Sequence, residues 1–207
     1  MKRVLVAMPT YSGHIPIELM FNLMSLKVPE GYSVNFSYVK RTPIDTARNS
    51  FAQGALNGGY DYILFVDDDT IPPTDALEIM LAMDKPVIIP PIPARKDNGE
   101  GRLCIFEEDW SDELSEVKEE RKIGGGGMAC TLIKREVLEA VANKYGKPFA
   151  YGEWDGKRYS EDTSFCRRVN ELGFEIWTTS KVTPSHIGQQ MVYVYEPTGI
   201  ETYVLPC

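Results

Sequence analysis

Tyr62-Ile63-Leu64-Phe65-Val66 runs without a break into Asp67-Asp68-Asp69-Thr70, and this junction constrains the fold more than any other stretch. Five apolar residues, β-branched or aromatic at most positions, predict a strand buried on both faces. Unpaired charges do not stay inside a protein, so three carboxylates at the end of such a strand must open into a crevice. Two carboxylates one residue apart suit a hard divalent cation, which takes oxygen ligands and keeps waters or substrate phosphates in its shell. A solvated acidic turn is the simpler alternative, because Asp favours turns.

The neighbouring segments extend this into an alternating pattern. Val4–Met8 reads as a first strand; Lys2-Arg3 before it resembles a secretory leader, but Pro9-Thr10-Tyr11 ends the run with no small-residue cleavage site. From Pro16 to Lys27, Met20, Leu23, Met24 and Lys27 fall at helical spacing, with Pro16 suited to the first turn. Val34–Val39 alternates as a second strand. Ile44 to Asn57 predicts a helix with Ile44, Ala47, Phe51 and Ala55 on one face, stopped by Gly58-Gly59. A short helix around Leu77, Met80 and Leu81 and a strand at Val87–Ile89 follow. Strands alternating with helices in this way predict a layered α/β domain with a mostly parallel central sheet flanked by helices. Ligands of such sheets bind at the carboxyl ends of the strands, where the three aspartates lie.

Composition narrows the class. A chain of 207 residues suffices for one domain with a full core. Its net charge of −8 argues against a general nucleic-acid binder, which needs a basic face. No apolar run approaches the roughly 20 residues that span a bilayer. Cys104, Cys130, Cys166 and Cys207 make no C-x-x-C pair and no zinc spacing, so buried free thiols and a cytoplasmic setting are expected. Between Glu107 and Lys122 there are eight acidic and three basic residues. We therefore expect 95–122 to be a partly mobile acidic surface segment, or a flap over the site.

Gly124 to Gly127 lead into a strand at Met128–Ile133, and Val137, Leu138, Val141 and Tyr145 mark a helix ended by Gly146. No Gly-Lys-Ser/Thr follows the glycines, so they are not a P-loop. They let the backbone approach a ligand or fit a crowded sheet. Ser160-Glu161-Asp162-Thr163 opens another helix, with Phe165, Val169 and Leu172 as its apolar stripe and Gly173 as its stop. First-turn capping alone could account for both acids. Phe174–Trp177 is a strand, and His186-Ile187-Gly188 follows; His186 is one of only two histidines.

The ordered set is more specific than its parts: Arg48-Asn49 on a helix, Asp67-x-Asp69 after a buried strand, a glycine-rich strand, Glu161-Asp162 opening a helix, and His186. It resembles the family 2-like glycosyltransferases of the GT-A fold, the nucleotide-diphospho-sugar transferase superfamily, from Val4 to Gly188. The resemblance implies a single GT-A-type, Rossmann-like domain over 1–188 and a C-terminal tail over 189–207 that could be a hairpin, a hinge or a subunit contact. It implies a hexosyltransferase-type enzyme moving a sugar from a nucleotide-diphosphate donor, a UDP-sugar before a GDP-sugar, to an acceptor hydroxyl of unknown class. Pro9, Thr10, Tyr11, Arg48, Asp67 and Asp68 would bind that donor. Asp67, Asp69 and His186 would hold Mn²⁺ or Mg²⁺, Asp69 foremost. Asp162 would be the general base of an inverting reaction; Gly126, Gly127 and Glu161 would contact the acceptor or support the structure. The end of the second strand, Tyr38-Val39-Lys40-Arg41, lacks the acid that many uridine-using relatives carry there. Two other readings compete: a haloacid-dehalogenase-type phosphohydrolase with Asp67 as nucleophile, and a sugar-nucleotide-binding module without turnover.

Overall fold

The computed structural model describes residues 1–94 and 102–187, and the backbone of strands 191–196 and 199–204. In chain order the elements are β1 (Lys2–Thr10), α1 (Ile17–Met24), β2 (Tyr32–Lys40), α2 (Ile44–Asn57), β3 (Tyr62–Val66), β4 (Thr70–Ile71), α3 (Ala76–Met83) and β5 (Val87–Ile88). Then come β6 (Ile105–Phe106), β7 (Arg121–Ile123), β8 (Gly125–Gly126), β9 (Cys130–Lys134), α4 (Arg135–Tyr145), β10 (Gly152–Trp154) and β11 (Lys157–Tyr159). The chain finishes with α5 (Glu161–Glu171), β12 (Ile176–Thr178), β13 (Ser185–Ile187), β14 (Met191–Glu196) and β15 (Gly199–Val204).

Seven strands form the central sheet in the order β2-β1-β3-β9-β5-β12-β7. Pairing is parallel at β2/β1, β1/β3 and β5/β12. Because β9 and β7 run against their neighbours, five strands point one way and two the other. β3 is central, and all five of its residues are buried, as its unbroken apolar run requires. Strand alternation sends Ile63 and Phe65 to one face and Tyr62, Leu64 and Val66 to the other. The first face packs under α2, α4 and α5, the second under α1 and α3.

Helix positions follow the predicted spacing closely for α2, which buries Ala47, Phe51 and Ala55 and ends at Gly58. α1 differs. Leu19 and Leu23 are its buried residues, while Met20 and Met24 face outward. Apolar residues surround this helix, so spacing alone could not choose its inner face.

The described part of the acidic segment also departs from expectation. Residues 102–122 are neither a solvated helix nor a loose loop, because Leu103, Ile105, Leu114 and Val117 are all buried in the main core. The charged residues between these anchors occupy the outside, and Arg121 pairs with Glu107 at 2.6 Å. Residues 95–101, also included in that expectation, lie outside the described residues, as do Gly188 and Cys207. The C-terminal residues form a hairpin, β14–β15, which extends a second sheet in the order β15-β14-β13-β4.

Cys130 and Cys166 are buried free thiols, and burial pushes both up to about 12. Among the described residues no helix is long and apolar enough to cross a membrane.

Candidate active site

The aspartates emerge where β3 leaves the sheet. Asp67 N still donates to Ala129 O at 2.9 Å, and Thr70 N closes a turn onto Asp67 O at 3.1 Å. The three side chains are thus held at the carboxyl end of the parallel strands, where such sheets have their crevice. β4 begins immediately and pairs with β13, setting His186 opposite Thr70. That pairing carries His186 across more than a hundred residues to the aspartates. Its Nε2 lies 3.5 Å from Asp69 Oδ1.

Chemistry at His186 is restricted by its other nitrogen. Nδ1 lies 2.9 Å from Pro93 O, and a carbonyl can only accept, so Nδ1 carries the proton. This is an arrangement that could orient an imidazole for metal ligation through Nε2. Nε2 and the Asp69 oxygen, 3.5 Å apart, could together hold a cation lying against both. Among the described residues no three His, Cys, Asp or Glu side chains cluster as a complete metal site. Asp69 and His186 could thus supply one carboxylate and one imidazole to a divalent ion and would leave the rest of its shell to other donors.

Asp67, the third residue expected to hold the ion, has a protein partner of its own. Arg48 Nη2 donates to both of its oxygens, at 3.1 Å each, and Arg48 Nη1 pairs with Glu161 Oε1. Arg48 is only 3% exposed and Glu161 5%. Burial opposes the charge of Arg48, but Asp67 and Glu161 outweigh it and its pKa lies above the ordinary value. Burial pushes the Glu161 carboxyl up, and Arg48 offsets part of that rise. Arg48 is thus a buried tie between the ends of β3 and α5. Its neighbour Asn49 fixes α2 from the other side, donating from Nδ2 to Phe149 O and accepting from Phe149 N at 3.0 Å.

Asp162 sits one residue further along α5 and is oriented differently. Its Oδ1 accepts from Ser160 Oγ, from Thr163 N at 2.7 Å and from Thr163 Oγ1 at 3.4 Å. Ser160 occupies the N-cap position but makes no side-chain cap to the helix backbone; its hydroxyl is spent on Asp162 and Thr163. Oδ2 lies on the Gly127 side, where a Cβ on that glycine would come 3.9 Å from it. One oxygen is therefore anchored, and the other is open to a cavity of about 370 Å³ lined by Arg48, Asp67, Asp69, Gly127, Asp162 and His186.

A second cavity, of about 330 Å³, shares two of these aspartates. Pro9, Thr10, Tyr11, Thr42, Ile44, Asp67, Asp68 and Asp69 line it. Asp67 and Asp69 are common to both. The register Thr10↔Lys40 aligns the ends of β1 and β2, and so brings Thr42 and Ile44 to the rim beside Pro9–Tyr11. These two residues, with Cys104, Met128 and Ala129 in the first cavity, were missed in the sequence; the shared carboxyl end of β1 and β2 was the available signal. A cavity of about 580 Å³ beside Trp110 and Trp154 holds none of the predicted residues.

Three of the four consecutive glycines serve packing. A Cβ on Gly125 would strike Cys166 of α5 and the Trp110 ring, and one on Gly126 would lie 2.6 Å from Cys104 O. Gly126 is thus structural, and Gly127 alone borders the cavity beside Asp162.

No family model and no curated protein sequence matches the chain. Solved structures do. A197 from STIV superposes with a TM-score of 0.66 at 18% identity, covering 99% of this chain and 95% of that one. A 1–349 fragment of S. aureus TarS, crystallised in complex with UDP-GlcNAc, gives a TM-score of 0.55 at 16% identity, covering 87% of this chain. The chain spans just over half of that fragment, 56% of its length. The fold is the GT-A-like fold of nucleotide-diphospho-sugar transferases.

Proposed function

We propose that this GT-A-fold chain is a metal-dependent glycosyltransferase, family 2-like and inverting, that moves a sugar from a nucleotide-diphosphate donor to an acceptor hydroxyl. One observation carries the reading: Asp67 and Asp69 line two cavities, one lined also by Pro9–Tyr11 and the other by Asp162. A donor reaching from one to the other would put its nucleoside against Pro9, Thr10, Tyr11, Thr42 and Ile44. Its diphosphate would lie at Asp69 and His186, and its sugar in the cavity that Asp162 faces. The UDP-GlcNAc complex of the TarS fragment supports a UDP-sugar donor ahead of a GDP-sugar.

Each side chain then has a defined task. Asp162 Oδ2 accepts the proton of the acceptor hydroxyl as that oxygen bonds to the anomeric carbon. The bond from the anomeric carbon to the diphosphate breaks, and its electron pair leaves with the nucleotide. Ser160 and Thr163 hold Asp162 by its other oxygen. Asp69 and His186 would hold Mn²⁺ or Mg²⁺, which supplies Lewis-acid stabilisation of the charge developing on the leaving diphosphate. Arg48 fixes Asp67 towards the donor ribose or sugar. The buried free thiols Cys130 and Cys166 support a reducing, cytoplasmic setting.

The test is thermal unfolding with UDP-, GDP- and dTDP-sugars, each with and without Mn²⁺. Stabilisation by at least one donor, dependent on the metal, is expected, because a ligand at 100 times its Kd adds about 2.7 kcal/mol to the native state. No response to any donor with metal present rejects the reading. Release of free sugar or transfer to an acceptor separates turnover from binding alone.

A further inference from the structure

We infer that the protein self-associates as a two-fold dimer through the free edge of β2 and the outer face of α1. The inference is independent of the reaction assigned above. β2 is nine residues long, ends the central sheet, and among the described residues pairs only with β1. A long edge strand with open N–H and C=O groups is a template for another strand, and natural proteins block such edges with Pro, bulges or inward charges. Of the nine residues of β2 none is Pro and only the last, Lys40, is charged.

Apolar side chains on α1 and on β2 itself are uncovered. Ile17, Met20, Phe21 and Met24 of α1 and Phe36 and Tyr38 of β2 are each 51 to 71% exposed. The α1 residues fall at i, i+3, i+4 and i+7, one continuous stripe opposite Leu19 and Leu23. Alternation puts Phe36 and Tyr38 on the same sheet face as Tyr32 and Val34, which pack against the core cluster containing Leu19 and Leu23. Helix stripe and strand residues therefore belong to one side of the molecule. Phe21, Phe36 and Tyr38 leave on the order of 100 Å² each uncovered, given about 200 Å² for a whole aromatic side chain. With the three aliphatic residues the uncovered apolar area of helix and strand sums to roughly 600 Å². A standard interface takes about 800 Å² from each partner. Pairing of β2 supplies the remainder.

Charge chooses the occupant. Helices that lie on membranes carry Lys and Arg along the polar face, whereas the polar positions of α1 are Glu18 and Asn22, its last turn has no basic residue, and the chain has a net charge of −8. A second copy offers the same stripe and the same open ladder, and a two-fold axis lets both be satisfied at once.

Sedimentation velocity over a micromolar concentration series tests this. The wild type should sediment at about twice the 23.3 kDa chain mass, and Phe36→Lys and Met24→Glu should each shift it to the single-chain species. Both positions are exposed, so unchanged circular dichroism and thermal unfolding at low concentration will separate lost pairing from lost folding. A wild type that stays monomeric throughout overturns the inference. So does a dimer that survives both substitutions together, or flotation of the wild type with neutral or anionic phospholipid vesicles while it remains monomeric in solution.

Discussion

Glu161 and Asp162 are adjacent in the chain and are held in opposite ways: Glu161 is buried against Arg48, while Asp162 is anchored by one oxygen and presents the other to a cavity. The first turn of α5 thus delivers one carboxylate to the core and the next to the candidate site.

Substituting Asp162→Asn removes the base and keeps the shape. Transfer should fall by about 10²–10⁴, while the metal-dependent thermal stabilisation by donor stays within experimental error of wild type. Turnover within a few-fold of wild type would take Asp162 out of the reaction.

Arg48→Met strands two carboxylates at the ends of β3 and α5. Breaking a buried ion pair by removing one partner costs about 3–5 kcal/mol, so the denaturation midpoint should drop steeply. A loss below about 1 kcal/mol would mean that water reaches Asp67 and Glu161 and that the tie is weak.

His186→Ala and Asp69→Asn should each abolish the metal-dependent part of donor stabilisation while leaving the unliganded protein folded. If Mn²⁺ still enhances donor binding in both variants, the cation is held elsewhere.

Gly125→Ala and Gly127→Ala form a contrasting pair. The first forces a methyl into Cys166 and Trp110 and should destabilise by about 1–3 kcal/mol. The second meets nothing closer than Cys104 Cβ at 3.8 Å and Asp162 Oδ2 at 3.9 Å and should leave the unfolding midpoint nearly unchanged. Equal losses would contradict the packing described here.

Glu171 accepts from Tyr145 Oη and from Trp154 Nε1 at 2.6 Å, and these bonds hold its carboxyl below the ordinary value of 4.5. A depressed folded pKa contributes stability above the unfolded pKa that is lost as pH falls through the folded one. Glu171→Gln should therefore flatten the acid limb of the stability curve below pH 4.5 and change it little in slope at neutral pH. Because Glu171 is mostly solvated, the effect will be small and salt-sensitive. An unchanged acid limb would count against these bonds.

Local pattern determined a good deal. The apolar run Tyr62–Val66 could only be a buried strand, α2 followed its spacing from Ile44 to Asn57, and Gly173 ended α5 in a left-handed turn. The aspartates were legible for the same reason, since charge at the end of a buried strand must reach solvent. Tertiary structure decided the rest, because several residues carried equally valid local options. α1 is apolar on both sides, and only the position of the sheet made Leu19 and Leu23 its inner face. Asp67, Asp69, Glu161 and Asp162 are chemically alike; the β4–β13 pairing and the burial of Arg48 assigned them different partners. Residues so far apart in sequence interact through distances that no local spacing encodes, so their roles emerge only when the sheet brings them together.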